Sequence, residues 1–299
     1  MSVNCIYVAA SSKDGRYTRI CVASIRHFYP DTPIRLLVGG PLEKGLAEEL
    51  ERYWQVGVED LPPGDYGWGF VKLEPLFRRP GERFLVLDSD TVLTGPVLLM
   101  GEACDAPFVV DDEAQSEEDL RRLYYDWRAL AQVEPATQPP RFVFNSGQWF
   151  GTGGVLARED FAALIDWSMP PKLRWPEHFM PGDQGVLNYM LNQKAALDGL
   201  EVARRKIMRW PGHGLEGLSA QTVKARTAPP LVIHWAGMKK ARLGAMAGSD
   251  ILRFYEKAYY RKLPLGGIRR IANGCRHTLS ELQHTFRTRV RLFLRRLKR

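Results

Sequence analysis

Along the first third of the chain, short unbroken apolar runs alternate with longer stretches in which apolar residues recur every three or four positions. Asn4–Ala10 is such a run, ending in small side chains as a strand buried on both faces does. Tyr17–Phe28 carries Ile20, Cys21, Ser24, Ile25 and Phe28 at helical spacing until Tyr29, Pro30 and Asp31 break it. Ile34–Val38 reads as a second strand closed by Gly39, Gly40 and Pro41, and Leu42–Tyr53 as a second helix. Trp68–Phe77 is a further helical segment, and Arg83–Leu87 is a buried strand that ends at Asp88, Ser89 and Asp90. This order of strands and helices predicts an α/β fold with parallel crossovers.

From Thr91 to Ala157 the pattern predicts short strands and loops, with one charged helical stretch over Ser116–Gln132. Two apolar runs, Phe142–Phe144 and Gly154–Ala157, flank Asn145, Ser146 and Gly147, and Leu231–Ile233 is a last strand leading to His234. Beyond it, Leu279, Leu282, Phe286, Val290, Phe293 and Leu297 are spaced by three or four, which predicts one apolar stripe on a helix flanked by arginines. The division expected is a catalytic domain over 1–264 and a basic amphipathic tail over 265–299.

Composition excludes wholesale disorder, since 45% of the 299 residues are hydrophobic and 25% charged. The net charge of +8 would suggest nucleic acid if it were spread over the chain. It is not: residues 265–299 hold ten Lys or Arg and one acid, so that stretch carries +9 and the rest of the chain −1. A terminal device for an anionic membrane surface fits this asymmetry better than a nucleic-acid-binding core. Cys5, Cys21, Cys104 and Cys275 have no metal-ligand spacing and read as free thiols. The N-terminus has no signal-peptide pattern and no apolar run reaches the length of a membrane span. The expected location is the cytoplasm, peripheral on the cytoplasmic face of the membrane.

The candidate chemistry sits at strand ends, where ligands gather in open α/β sheets. Asp88 and Asp90 follow an apolar strand two residues apart, so both carboxylates project beyond its end. Two hard oxygen ligands suit Mn²⁺ or Mg²⁺ better than zinc, although such a pair also occurs as a turn of solvated acids. His234 ends another strand and is followed by Gly237, Lys239 and Lys240, a ligand, a backbone opening and two phosphate-neutralising cations. Asp183 follows Pro181 and Gly182 and precedes the apolar face Val186, Leu187, Met190 and Leu191, the place of a helix N-cap. Trp149 and Phe150 read either as an apolar platform beside Asn145–Gly147, which the resemblance drawn next would give to an acceptor, or as core.

With these pieces in order, the sequence resembles a GT-A-fold glycosyltransferase, most like glycosyltransferase family 8, which includes glycogenin and bacterial lipooligosaccharide galactosyltransferases. The matching segments are Ile6–Ala10, Asp88-Ser89-Asp90, Phe144–Gly147, Gly182–Asn188 and His234–Lys240. The resemblance implies that Asp88, Asp90 and His234 bind a divalent ion, usually Mn²⁺, holding the diphosphate of a nucleotide sugar. It implies donor contacts from Ala9, Ala10, Ser89, Gly237 and Lys240, from Tyr17 stacking on the base, and from Lys72 and Asn145 near the transferred sugar. It places Asp183 and Gln184 at the anomeric carbon as the catalytic candidates.

Two departures leave base and donor sugar open: Ser11 or Ser12 stands where the family has an acid, and Ala241-Arg242 replaces its Pro-Trp pair. The expected reaction is hexose transfer from a nucleotide-diphosphate sugar, a UDP-sugar by resemblance, to a glycan or lipid-linked hydroxyl with retention. The alternatives are an inverting GT-A enzyme with Asp183 as general base, a sugar nucleotidyltransferase, and a non-enzymatic membrane- or nucleic-acid-binding protein. The nucleotidyltransferase would need a better phosphate loop than Ser11–Gly15, and the non-enzymatic reading leaves the acids, His234 and the lysines unused.

Overall fold

A computed structural model describes residues 1–278 apart from Trp68, His213, Lys239 and Lys240. The expected tail stripe over Leu279–Leu297 and the diphosphate contact from Lys240 therefore lie outside the described residues. The chain begins with β1 (Cys5–Ala10), α1 (Gly15–Phe28), β2 (Ile34–Val38), α2 (Leu46–Trp54) and β3 (Val56–Val58). A 3₁₀ helix over Phe70–Phe77 precedes β4 (Arg83–Asp88), β5 (Thr91–Leu93), α3 (Leu98–Glu102) and β6 (Phe108–Asp111). Then come α4 (Glu117–Leu123), α5 (Trp127–Val133), β7 (Gln148–Thr152), β8 (Ile165–Asp166) and β9 (Lys172–Leu173). The remaining elements are α6 (Asp183–Leu197), β10 (Val202–Arg205), β11 (Met208–Arg209), α7 (Ala220–Lys224), β12 (Val232–His234) and α8 (Ser249–Arg261).

Seven strands form the central sheet in the order β10-β6-β7-β4-β1-β2-β3, parallel except for β7. A three-stranded sheet, β11-β12-β5, continues from the end of β4. Alternation within the strands divides the core in two. Ile6, Val8, Leu85, Leu87 and Phe150 pack with α1, α2 and α8 on one face. Tyr7, Phe84, Val86, Phe108 and Trp149 pack with α6 and the 3₁₀ helix on the other.

Several expectations are corrected. The stretch Ser116–Gln132 is two helices, because Asp126 caps α5 by accepting from the Ala129 N–H at 3.1 Å and so restarts the helix. The strand in the 142–157 region is Gln148–Thr152, between the two apolar runs, and it is central: β4 pairs with one edge and β6 with the other. Trp149 is thereby fully buried, its ring 5.6 Å from Phe84 and 6.3 Å from Phe108, and it offers no platform to an acceptor. Tyr17 is also core: α1 turns it inward, with its hydroxyl 3.7 Å from Met246 Sδ, so it does not stack on a bound base.

Candidate active site

Register pairs Ala9 with Asp88, so β1 and β4 end side by side. After Asp88 the chain turns through Ser89 and Asp90 into β5, which pairs antiparallel with β12 and sets His234 opposite Thr91. The Trp235 N–H donates to the Asp90 carbonyl at 3.0 Å, locking the two turns together. His234 Nε2 consequently lies 3.3 Å from Asp90 Oδ1 and 3.6 Å from Asp88 Oδ2. One ligand atom from each of the three falls within 4.8 Å of the others. Two carboxylates and an imidazole fit a divalent cation of the Mn²⁺ or Mg²⁺ kind.

The imidazole is oriented from behind. Its Nδ1 is 3.0 Å from Asn145 Oδ1, which also accepts the Gly147 N–H at 2.8 Å. That oxygen only accepts, so Nδ1 is the donor in this contact and Nε2 is the nitrogen that faces the aspartates. Gly147 makes the approach possible, since a Cβ there would lie 2.2 Å from His234 Cε1.

Asn145 is itself held by α6. Gln184, Asn188 and Asn192 occupy successive turns of one helix face and bond the extended backbone over 141–146. Asn192 Oδ1 accepts from the Arg141 N–H at 2.7 Å, and Asn188 Oδ1 accepts from the Phe144 N–H at 2.9 Å. Gln184 Oε1 accepts from Asn145 Nδ2 at 3.0 Å and from the Ser146 N–H at 3.2 Å, while its Nε2 donates to the Leu123 carbonyl at 2.8 Å. Both carbonyl lone pairs of Gln184 are therefore committed. These contacts make Gln184 and Asn145 position His234 from behind.

Lys72, on the buried face of the 3₁₀ helix, is the central cation. Its Nζ is 3.0 Å from both Asp88 Oδ1 and Asp183 Oδ2 and donates to the Ser146 carbonyl at 3.1 Å. Burial works against its charge, but Asp183 and Asp88 outweigh burial and raise its pKa. Asp183 is not an N-cap: Gly182 holds that position with φ 99°, and Asp183 opens α6 with its carboxylate turned inward. Burial pushes this carboxyl above the usual range although Lys72 pulls the other way. Its close approach to Gly69 leaves no room for a side chain there, where a Cβ would meet Asp183 Oδ1 at 2.0 Å.

Beside this cluster opens a cleft of about 610 Å³, lined by Ala9, Ala10, Lys13, Gly39, Lys72 and Asp88 among others. Ala9, Ala10 and Lys72 thus face the space expected of them, whereas Ser89 is buried in its turn. Gly237 stands in the exposed turn after β12 at φ 72°.

Two residues that sequence reasoning missed lie near His234. Trp210 stacks on the imidazole with centroids 5.6 Å apart and planes 20° apart, and 37% of it is exposed. Glu113 lies past the end of β6, where burial raises its carboxyl pKa while the Tyr124 hydroxyl, donating at 2.5 Å, opposes that rise. The turn signal Pro211-Gly212 after Trp210 was the one available hint; Glu113 was hidden in the acid run Asp111–Glu113.

No family model matches the chain, and no curated protein matches it. Solved structures do. The galactosyltransferase LgtC, determined in complex with donor and acceptor sugar analogs, aligns over 85% of this chain and 95% of its own, with 17% identity and a TM-score of 0.55. The glycosyltransferase GlyE of Streptococcus pneumoniae aligns over 91% of this chain and 63% of its own, with 15% identity and a TM-score of 0.55. The chain has the fold of the GT-A glycosyltransferases, as the sequence led one to expect.

Proposed function

We propose that the protein is a metal-dependent glycosyltransferase that moves a hexose from a nucleotide-diphosphate sugar, a UDP-sugar in our reading, to a hydroxyl of a glycan or lipid-linked acceptor with retention of configuration. The observation that carries this reading is the convergence of Asp88, Asp90 and His234 at the end of β4, beside a cleft bounded by β1. Such an ion, when bound, supplies a Lewis acid and clamp for a departing diphosphate. The chain's own residues prepare the place: Asn145 fixes the His234 tautomer, and Lys72 balances Asp88 and Asp183 from beneath. Ala9 and Ala10 leave the cleft open for the nucleoside half of the donor. Trp210, half-exposed over His234, supplies an apolar face of the kind on which sugar rings stack, and we assign it to the acceptor in place of Trp149.

The same reading puts the protein on the cytoplasmic face of the membrane, with no nucleic acid as partner. Residues 266–278 are helical, and Ile268 and Ile271 on that helix, with Leu265 before it, are at least 66% exposed. These apolar side chains lie at the start of the basic stretch 265–299, which supports an interfacial helix on anionic lipid.

The test is release of nucleoside diphosphate from a panel of nucleotide sugars, with Mn²⁺ and with EDTA, by the full chain and by Asp90→Ala. Metal-dependent turnover of one donor, lost in the variant, is the expected result. Inert donors together with no metal-dependent nucleotide binding by calorimetry would overturn the proposal.

A further inference from the structure

The turn Ser11–Asp14 borders the cleft described above, and two residues further on Arg16 borders a second cavity, of about 540 Å³. Its walls include Arg16 from α1, Arg242 and Gly244 from the segment between β12 and α8, Arg253 and Glu256 from α8, and Thr278. Among the described residues, three guanidiniums thus share one space with a single carboxylate. That carboxylate is already engaged: Glu256 Oε1 accepts from Arg16 Nε at 2.7 Å. Arg242 and Arg253 are exposed and have no carboxylate partner among the described residues.

The exposed Arg253 fork lies against Gly244. A Cβ at Gly244 would lie 2.2 Å from Arg253 Nη2, so the guanidinium rests against backbone that only glycine leaves bare. The neighbouring His277 reports the same surroundings: burial first, and then Arg16, lowers its pKa. Forks from two different segments, without a carboxylate partner among the described residues, present planar, directed N–H donors to a single volume. Phosphate oxygens match that donor geometry bidentately, and an excess of two positive charges matches a phosphate anion.

We propose that this cavity is a phosphate site, in which Arg242 and Arg253 hold the phosphate of a phosphomonoester or phosphodiester and Arg16, tied to Glu256, adds to the positive field. It is separate from the Asp88–Asp90–His234 group and does not depend on the activity assigned to that group. Thr278 lines the cavity, and the arginine-rich stretch begins nine residues on, at Arg287. The phosphate can therefore come from a lipid headgroup or from a soluble ester, and the two sources share this chemistry.

The experiment uses the full chain in EDTA, so that no divalent ion bridges a phosphate to the aspartates. sn-Glycerol 3-phosphate is titrated by calorimetry, and vesicles of phosphatidylglycerol in phosphatidylcholine are compared with phosphatidylcholine alone by co-sedimentation. Arg242→Gln/Arg253→Gln should weaken binding of at least one probe by about tenfold or more, the scale of losing two charge-assisted contacts. Gly244→Ala, which keeps every charge but displaces the Arg253 fork, should weaken the same probe by a smaller factor. Sensitivity of the vesicles assigns the phosphate to lipid, and sensitivity of glycerol 3-phosphate alone assigns it to a soluble ester. The proposal is overturned if wild type binds neither probe, or if the double variant binds as wild type does. It is equally overturned if Gly244→Ala has no effect, because a diffuse positive field would then explain the rest. Should the double variant fail to fold by circular dichroism, Gly244→Ala decides the matter.

Discussion

Replacing Lys72 by methionine removes the only cation that the described residues place between Asp88 and Asp183. The side chain is 5% exposed and Asp183 6%, so water cannot take over the lysine's part. Breaking a buried ion pair by deleting one partner costs about 3–5 kcal/mol, because the remaining charge stays desolvated. Loss of the bond to the Ser146 carbonyl adds about 1 kcal/mol, and the retained methylene packing of methionine returns part of the total. We expect Lys72→Met to lower the free energy of unfolding by about 4 kcal/mol in urea titrations in EDTA. The loss should be coupled to Asp183. In a double-mutant cycle, Lys72→Met with Asp183→Asn should be less destabilising than the sum of the single changes by about 1–3 kcal/mol. Mn²⁺ should restore part of the loss, since a cation bound by Asp88 takes over its neutralisation. A Lys72→Met protein within about 1 kcal/mol of wild type, additive with Asp183→Asn, would refute the view that this lysine balances the buried acids.

Three further outcomes are expected. Trp210→Ala should raise the acceptor KM by several-fold, consistent with about 1 kcal/mol of stacking, and leave donor hydrolysis close to wild type; an unchanged acceptor KM removes Trp210 from the site. Gly147→Ala pushes a Cβ into His234 and should weaken Mn²⁺ binding by roughly 10–100-fold by calorimetry, the range seen when the support of a ligating histidine is disturbed. Burial raises the Glu43 carboxyl pKa, but the bidentate Arg19 contacts, both at 3.0 Å, overcome that and hold it below the usual value. Stability from this pair is therefore full above the ordinary glutamate pKa and lost as pH falls through the lowered folded value. Glu43→Gln should lower stability by about 0.5–1 kcal/mol at pH 7, and the gap to wild type should close in acid when melting is followed against pH.

The parts of the fold legible in the sequence were those whose burial is complete. β1 and the interior of β4 are parallel and covered on both faces, so they appear as apolar runs, and Asp88 was recognisable as the first acid after such a run. β7 was not legible, because Gln148, Gly151 and Thr152 dilute the apolar signal of Trp149 and Phe150 within a five-residue strand. Its centrality comes from pairing with β4 and β6, a long-range event that leaves no local trace. The same holds for the meeting of His234 with Asp90. Each stands at a recognisable strand end or turn, but their separation of a few ångströms depends on β5 pairing with β12.

The run Phe142–Phe144 shows why the site could be located from sequence but its roles could not. As an apolar stretch it resembles a strand, yet its backbone finds most of its partners among side chains: Asn188 and Asn192 bond the N–H and carbonyl groups of Phe144 and Phe142 on both sides. On an amphipathic helix these amides would be assigned to the solvent face. In α6 they are buried, because unpaired backbone next to them must be satisfied and an amide offers both a donor and an acceptor. Gln184 is the last member of this ladder, and through Asn145 it reaches His234. A side chain expected at the reacting carbon is thus bound into the structural repeat of its own helix. The placement of His234 is consequently set by the packing of α6 against an extended segment, one step removed from the aspartates that mark the site in the sequence.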